Sequence, residues 1–325
     1  MKKKIYIPYF IFGIGVLLIP TVLRSPYYLG VLVVAGIFSL IAMGLSMLMG
    51  YAGQISLGHA AFFGIGAYTS AVLTGGHGWS TWTAMAAGLV LSGIVAWIIG
   101  RPSLKLKGHY LAMATLGFGE VVHIFFSAEV DLTGGPSGYT DGIIPFIKIG
   151  GLQIDTEVKN YYFTWIIVLL VLLLTIHIIH SRVGRALRSI HIDQEASRAM
   201  GINTSHYKVQ IFILSAVYAS LAGSLYCHYI LFVAPGPFSL MESVLLVTMV
   251  LIGGMGSVWG AIAGAVLLTV LPELLRAFKD YNILIYGSIL LLIMLFLPGG
   301  LFGGSQILWS RIRKTLFESR ETSHG

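Results

Sequence analysis

Three carboxylates fall within or beside long apolar stretches: Glu120, Glu242 and Glu273. A charge at the centre of a bilayer costs at least ~2.5–3.5 kcal/mol, so such residues usually line an interior path or pair with another group. Glu242 and Glu273 stand near the ends of their stretches, where an interfacial position accounts for them. Glu120 is deeper and is a candidate translocation-path residue. A second polar interruption is Gly50-Tyr51-Ala52-Gly53-Gln54-Ile55-Ser56-Leu57-Gly58-His59. Polar backbone at membrane depth is tolerated only where protein buries it or a watery cavity meets it. Gln54, Ser56 and His59 are therefore path candidates as well, with a plain turn as the other reading.

The remaining chemical constellations are weaker. Gly135-Pro136-Ser137-Gly138 formally fits the G-x-S-G of rhomboid-type serine proteases, but its proline and turn-rich surroundings read as a loop. His177 and His180 share a helical face, yet they lie near a helix end, where the dipole favours them without any metal. No metal site is expected. Neither G-x-x-x-x-G-K-[ST] nor H-E-x-x-H occurs, so the chain has no P-loop for ATP and no zinc-protease motif. The single cysteine, Cys227, excludes an intrachain disulfide framework and any cysteine cage for zinc or iron–sulfur. Catalytic residues and bound cofactors are not expected, and the chain reads as a non-enzyme.

The elements that position these residues follow from composition. Of 325 residues only 10% are charged and 56% are hydrophobic, against about 25% charged in a soluble domain. That little charge cannot coat a water-facing surface, so the chain reads as an all-α polytopic membrane protein. Between Arg24 and Arg101 no charged residue occurs. With about 20 apolar residues per crossing, candidate spans fall near 5–23, 28–49, 59–74, 81–100, 109–127, 161–180, 209–229, 241–254, 258–275 and 283–298. About ten spans result, with eight as the alternative, because the third and eighth are short and Gly-rich.

Charge placement tests that count. With the N-terminus inside, all but five of the 20 basic residues (Arg24, Lys148, Lys159, Arg276 and Lys279) fall on the cytoplasmic side. This is the bias the positive-inside rule requires, and it accounts for the +7 net charge without nucleic acid. Both termini are then cytoplasmic. The first span has a basic start but no small-residue cleavage site, so it reads as a retained anchor rather than a signal peptide. Residues 1–304 read as a single transmembrane domain and 305–325 as a basic cytoplasmic tail. The loop at about 128–160 is external, and the loop at about 181–208 is cytoplasmic. Gly256, Gly260 and Gly264, four apart, read as a close helix-packing seam.

The cytoplasmic loop carries Arg182, Arg185 and Arg188, followed by His191 to Asn203. Asp193 is placed to cap a short helix, Glu195 sits in its first turn, and Gly201 is placed to end it in a left-handed conformation. Ile192, Ala196, Ala199 and Met200 would share one face. So short a helix is marginal alone in water and needs a surface to dock on. That surface is either the bilayer or a groove in another subunit.

Glu195-Ala196-Ser197-x-x-x-Gly201 resembles the E-A-A-x-x-x-G loop by which bacterial ABC-importer permeases dock on their ATPases, with Ser in place of the favoured Ala. More widely, the chain resembles the branched-chain amino-acid ABC-transporter permease family, in its LivM type. The strings that carry this are 50–64, Thr133 to Gly138, Ser181 to Ala186, Gly253 to Ser257 and Leu297 to Gly303. The resemblance implies a multi-pass subunit of the bacterial plasma (inner) membrane. It also implies a homologous LivH-type permease partner, two cytoplasmic ATPases holding ATP and Mg, and an external substrate-binding protein. Arg182, Arg185, Arg188, Glu195, Ala196, Ser197 and Gly201 would form the ATPase-coupling loop. Leucine, isoleucine and valine are the implied substrates, with urea, amides or other amino acids as the family's alternatives. A proton-coupled secondary transporter using Glu120 is the rival class.

Overall fold

The computed structural model describes residues 3–23, 25–104, 106, 108–145, 156–276, 282–296 and 300–301. The basic tail 305–325, residues 146–155 of the external loop, and Arg24, Lys105, Lys107, Lys148 and Lys279 lie outside them. The described chain is helical: α1 (Lys3–Val22), α2 (Pro26–Ser46), α3 (His59–Gly75), α4 (Thr81–Ser103), α5 (His109–Ala128), α6 (Val130–Thr133) and α7 (Glu157–His180). It continues with α8 (Arg182–Ile192), α9 (Gln194–Ala199), α10 (Thr204–Ile230), α11 (Leu240–Gly253), α12 (Val258–Leu275) and α13 (Asn282–Phe296). Among the described residues the only extended pairing is one antiparallel bridge, Tyr139 with Val233.

Each of the ten stretches expected to cross the membrane coincides with one of these helices. Six described helices are long and apolar enough to do so on length and composition alone: α2 with its extension to Tyr51, α4, α5, α7, α10 and α12. The apolar part of α1 (Ile7–Val22) and α11 are shorter, and α3 and α13 run 17 and 15 residues. The third expected span is continuous rather than broken. Its irregular portion precedes it, at 53–58.

Local chemistry sets the boundaries. Pro26 opens α2, where a missing N–H costs nothing. The Ser80 and Ser257 hydroxyls accept from the backbone N–H groups of Thr83 and Gly260, capping α4 and α12. Among the six long helices α2 is the most buried and α5 the least. At the centre α10 packs against α3, α4 and α2, while α12 and α7 pack on other faces of α2.

Backbones approach closely where side chains vanish. A Cβ on Gly66 of α3 would lie 2.1 Å from the Ser220 carbonyl oxygen of α10, and one on Gly223 would lie 1.9 Å from that of Phe63. In lipid, van der Waals packing of this kind holds helices together. The α11–α12 seam is similar but differs in membership from the expected Gly256, Gly260 and Gly264. A Cβ on Gly253 would meet Gly260, and one on Gly264 would meet Met249, whereas Gly256 faces open space in the turn between the helices. The four-residue spacing runs on past the end of α12 into that turn, which is why it misplaced one glycine.

The two long connections meet opposite ends of α5. At its start, Leu106, Gly108 and Leu111 approach Ile190 to Glu195. At its end, the Thr133 hydroxyl donates to the carbonyl of Phe126 at 2.8 Å. Residues 134–145 are ordered there by Tyr139–Val233 pairing and by His228, whose Nδ1 lies 2.7 Å from the carbonyl of Ile144.

Candidate functional site

The last turn of α2 widens into a π-helical turn, Met47–Tyr51, and the chain then runs irregularly to His59. Gln54, Ser56 and His59 are all buried, at 2%, 1% and 1% exposure. Protein therefore surrounds these three side chains, while Gly53 and Ile55 between them are exposed. Ser56 Oγ lies 3.1 Å from His59 Nδ1, and His59 Nε2 lies 2.7 Å from Ser215 Oγ on α10. The Leu57 N–H donates to Thr115 Oγ1 of α5 at 3.0 Å, and the Ala60 N–H to Ser243 Oγ of α11 at 3.2 Å. One short turn is thus tied to three helices. The sequence pointed to Gln54, Ser56 and His59 but not to Thr115, Ser215 or Ser243. Single hydroxyls on apolar helices carry no spacing signal until the fold brings them together.

The turn also meets the second Gly-rich piece. A Cβ on Gly50 would lie 1.6 Å from the Met255 carbonyl oxygen, so only glycine fits there. The Ser46 hydroxyl donates to that same carbonyl at 3.3 Å.

The segment 181–203 is two helices rather than the one expected. The Ser181 hydroxyl caps α8, accepting from the Val183 N–H. Gly184, Leu187 and Ile190 are buried, while Arg182, Arg185 and Arg188 are exposed, an amphipathic pattern at helical period. Asp193 then breaks the helix and caps α9, accepting from the N–H groups of Glu195 and Ala196 at 2.8 and 3.0 Å. Gly201 has φ +83, the left-handed conformation expected of it. Ile192 precedes the cap, so it does not belong to the same helix as Ala196, Ala199 and Met200. All four are nonetheless exposed, Ile192 at 85% and Met200 at 83%. Ser197 is buried, its hydroxyl donating to Ser189 Oγ and to the Asp193 carbonyl. Lys208 Nζ donates to Gln194 Oε1 at 2.6 Å, and Arg198 Nε to Thr204 Oγ1 at 2.8 Å. These contacts hold α9 on the base of α10.

The two sites touch. The Arg188 guanidinium sits 5.4 Å from the centre of the Tyr51 ring. Gly53, at φ +65, places its α-carbon against His191; a Cβ there would be 3.4 Å from the ring nitrogen. The exposed arginines of α8 make this face basic.

Glu120 lies apart from this cluster. It is exposed on α5, in a stripe with Tyr110, Met113, Gly117 and Ile124. At 1.5 Å per residue it stands roughly 16 Å along a helix of about 30 Å, near mid-depth. It faces away from the packed core of the described chain. Glu242, in the first turn of α11, has one buried carboxylate oxygen without a partner among the described residues. Glu273 accepts from the Tyr27 hydroxyl and pairs with Arg276 at 3.8 Å. Ser137 is exposed in a short 3-10 turn, and His177 and His180 each sit 2.8 Å from a carbonyl of their own helix. No cluster of metal-ligating residues occurs among the described residues.

The sequence profile of a family described as branched-chain amino acid transport system / permease component matches residues 27–298. The chain belongs to this permease family. It is 33% identical over 288 residues to the high-affinity branched-chain amino acid transport system permease protein LivM of Salmonella typhimurium, covering 82% of this permease and 67% of that protein. The LivM protein of Escherichia coli is similar at 32% with the same coverage. The LivH permease protein of Salmonella typhimurium is 28% identical over 289 residues, covering 83% of this permease and 92% of LivH. The likeness to LivM makes this a LivM-type permease. No solved structure gives a significant match.

Proposed function

We propose that this permease is a membrane subunit of an ATP-binding cassette importer for leucine, isoleucine and valine, working beside a homologous LivH-type subunit in the bacterial inner membrane. One observation carries the reading: an exposed apolar cluster, Ile192 to Met200, is held on a rigid two-helix support that rests directly on the 51–59 turn. An ATPase docked on that cluster acts on the membrane core through two contacts, Arg188 on Tyr51 and His191 on Gly53. Because the turn is bonded to α5, α10 and α11, its displacement moves all three. ATP binding changes access only by favouring one geometry of the docked helices, since a ligand shifts an equilibrium by its differential affinity for the two states.

In this reading Arg182, Arg185, Arg188, Glu195, Ala196, Ser197 and Gly201 form the coupling loop, with Ser197 holding it from beneath. ATP and Mg stay in two partner ATPases, and an external binding protein delivers substrate at the 128–160 loop. Residues 1–304 act as one domain of ten spans with both termini cytoplasmic. The path lies between the two permeases. The support for this is Glu120, exposed at mid-depth on α5, where lipid contact would be costly. The matches to both LivM and LivH support a pair of related subunits.

Uptake into proteoliposomes holding the whole assembly tests this. Radiolabelled leucine should enter only with ATP and should continue when a protonophore collapses the proton gradient. Uptake that follows the gradient and ignores ATP would instead establish a secondary transporter.

A further inference from the structure

A cavity of about 630 Å³ opens between the last turns of α4 and the first turns of α10. Both helices are long and apolar enough to cross a membrane, so the cavity sits where spans end, at the boundary between acyl chains and headgroups. Small-molecule sites run from about 300 to 1,000 Å³, so it admits a lipid headgroup with the start of its chains. Its lining changes with depth. Arg101, Asn203, Ser205 and His206 stand towards the helix ends, and Trp97, Val209 and Ile213 stand a turn or two further in. The polar members are open to a ligand, for all four are exposed. The Arg101 guanidinium carbon lies 4.1 Å from the centre of the Trp97 ring, and among the described residues no carboxylate pairs with it. A guanidinium that meets a ring with its face keeps its in-plane N–H donors for a bidentate acceptor. Asn203 Oδ1 accepts from the His206 N–H at 3.1 Å, which leaves the amide nitrogen as a donor. No Asp or Glu lines the cavity among the described residues.

We propose that this cavity binds the phosphodiester headgroup of an anionic phospholipid in the cytoplasmic leaflet, and that the bound lipid braces the start of α10. The charge of the lining selects this class. Phosphate oxygens meet the Arg101 fork, with the Asn203 amide and the Ser205 hydroxyl as further donors. A zwitterionic choline headgroup brings a cation that finds no carboxylate, and the Trp97 ring already faces one cation. The acyl chains lie against Trp97, Val209 and Ile213, an aromatic and two aliphatic groups at the level where tryptophan is common in membrane proteins. Basic pockets between spans on the cytoplasmic side hold anionic headgroups in this way. The site also adjoins the coupling support. Thr204, between Asn203 and Ser205, accepts from Arg198 Nε of α9 at 2.8 Å. A lipid bridging α4 and the start of α10 therefore steadies the base on which α9 is held. The leaflet and the effect on import rest on the transport reading above. The cavity and its unopposed cation do not.

The test is the phospholipid retained by the purified whole assembly, counted by native mass spectrometry after titration with short-chain phosphatidylglycerol or phosphatidylcholine. Wild type should retain phosphatidylglycerol several-fold better than phosphatidylcholine. Arg101→Gln should lose that preference, and Arg101→Lys, which keeps the charge without the fork, should fall between them. In proteoliposomes, adding phosphatidylglycerol to phosphatidylcholine should raise the initial ATP-driven leucine uptake of wild type several-fold. Arg101→Gln should match wild type in phosphatidylcholine alone and gain nothing from the anionic lipid. Equal retention of both lipids by wild type, or an unchanged preference in Arg101→Gln, would overturn the site. Displacement of the lipid by inorganic phosphate would make the ligand a free anion and overturn the lipid assignment. Retention that responds while uptake is the same in both bilayers would overturn the bracing role. Failure of ATP-driven uptake in wild type counts against the transport reading, whereas the retained lipid still decides the site.

Discussion

The Arg188 guanidinium stands 5.4 Å from the centre of the Tyr51 ring, which sets a residue of the 181–203 segment on the π-helical end of α2. A cation over an aromatic face at this distance is worth about 0.5–1 kcal/mol when exposed. The Arg188 guanidinium also reaches the Ile179 carbonyl at 3.5 Å, so one side chain spans the end of α7, α8 and the turn. Motion of α8 cannot occur without either moving Tyr51 or losing this contact.

Gly201 offers a separation of conformation from contact. A side chain in its left-handed conformation costs roughly 1–2 kcal/mol, and a Cβ there meets nothing within 4 Å. Gly201→Val should therefore insert normally in the membrane but lose copurifying ATPase and ATP-driven uptake. Gly201→Asn should be milder, because Asn tolerates this conformation. Glu195→Ala should also be milder, removing a dipole contribution of about 0.3–1 kcal/mol. Equal transport by all three variants at matched expression would remove the docking role.

The exposed apolar pair gives a second handle on the same surface. Ile192 and Met200 touch little of their own chain, so Ile192→Asp and Met200→Asp should change the melting temperature of the isolated permease hardly at all. Surface substitutions of this kind usually fall within about ±0.5 kcal/mol. Pull-down of the ATPases should nevertheless fall sharply. Retained pull-down in both variants would show that this face meets something else.

The positions of these helices were legible in the sequence because apolar length and charge gaps are strong signals in a membrane protein. Caps were legible too, since Asp193 and Gly201 act locally. The helix α8 ahead of that cap was not expected. An amphipathic period across Arg182 to Ile190 was present, but the arginines drew attention to charge rather than to the buried Gly184, Leu187 and Ile190 between them. Which hydroxyls would answer His59 was not readable at all, because Ser215 is 156 residues away in sequence and shares only a neighbourhood in the fold. Glu120 was recognised as costly, but its outward direction depends on how α5 packs, which one helix's sequence does not state.

That direction yields a further expectation. If α5 meets the partner permease across a polar path, Glu120→Gln should keep assembly and lower the transport rate. Glu120→Leu should lower it further. If α5 instead faced lipid, Glu120→Leu would raise the melting temperature and leave uptake intact. Thermal stability and initial uptake rate, measured on the same purified assembly, distinguish the two.

Coupling in this permease requires that the α8–turn contact carry the effect of ATP. The direct measurement is the ratio of leucine imported to ATP hydrolysed, in proteoliposomes, for wild type and for Arg188→Ala and Tyr51→Ala. Both variants should keep their ATPases and most of their hydrolysis while import falls, so that the ratio drops several-fold. An unchanged ratio, with import and hydrolysis rising or falling together, would contradict transmission through this contact.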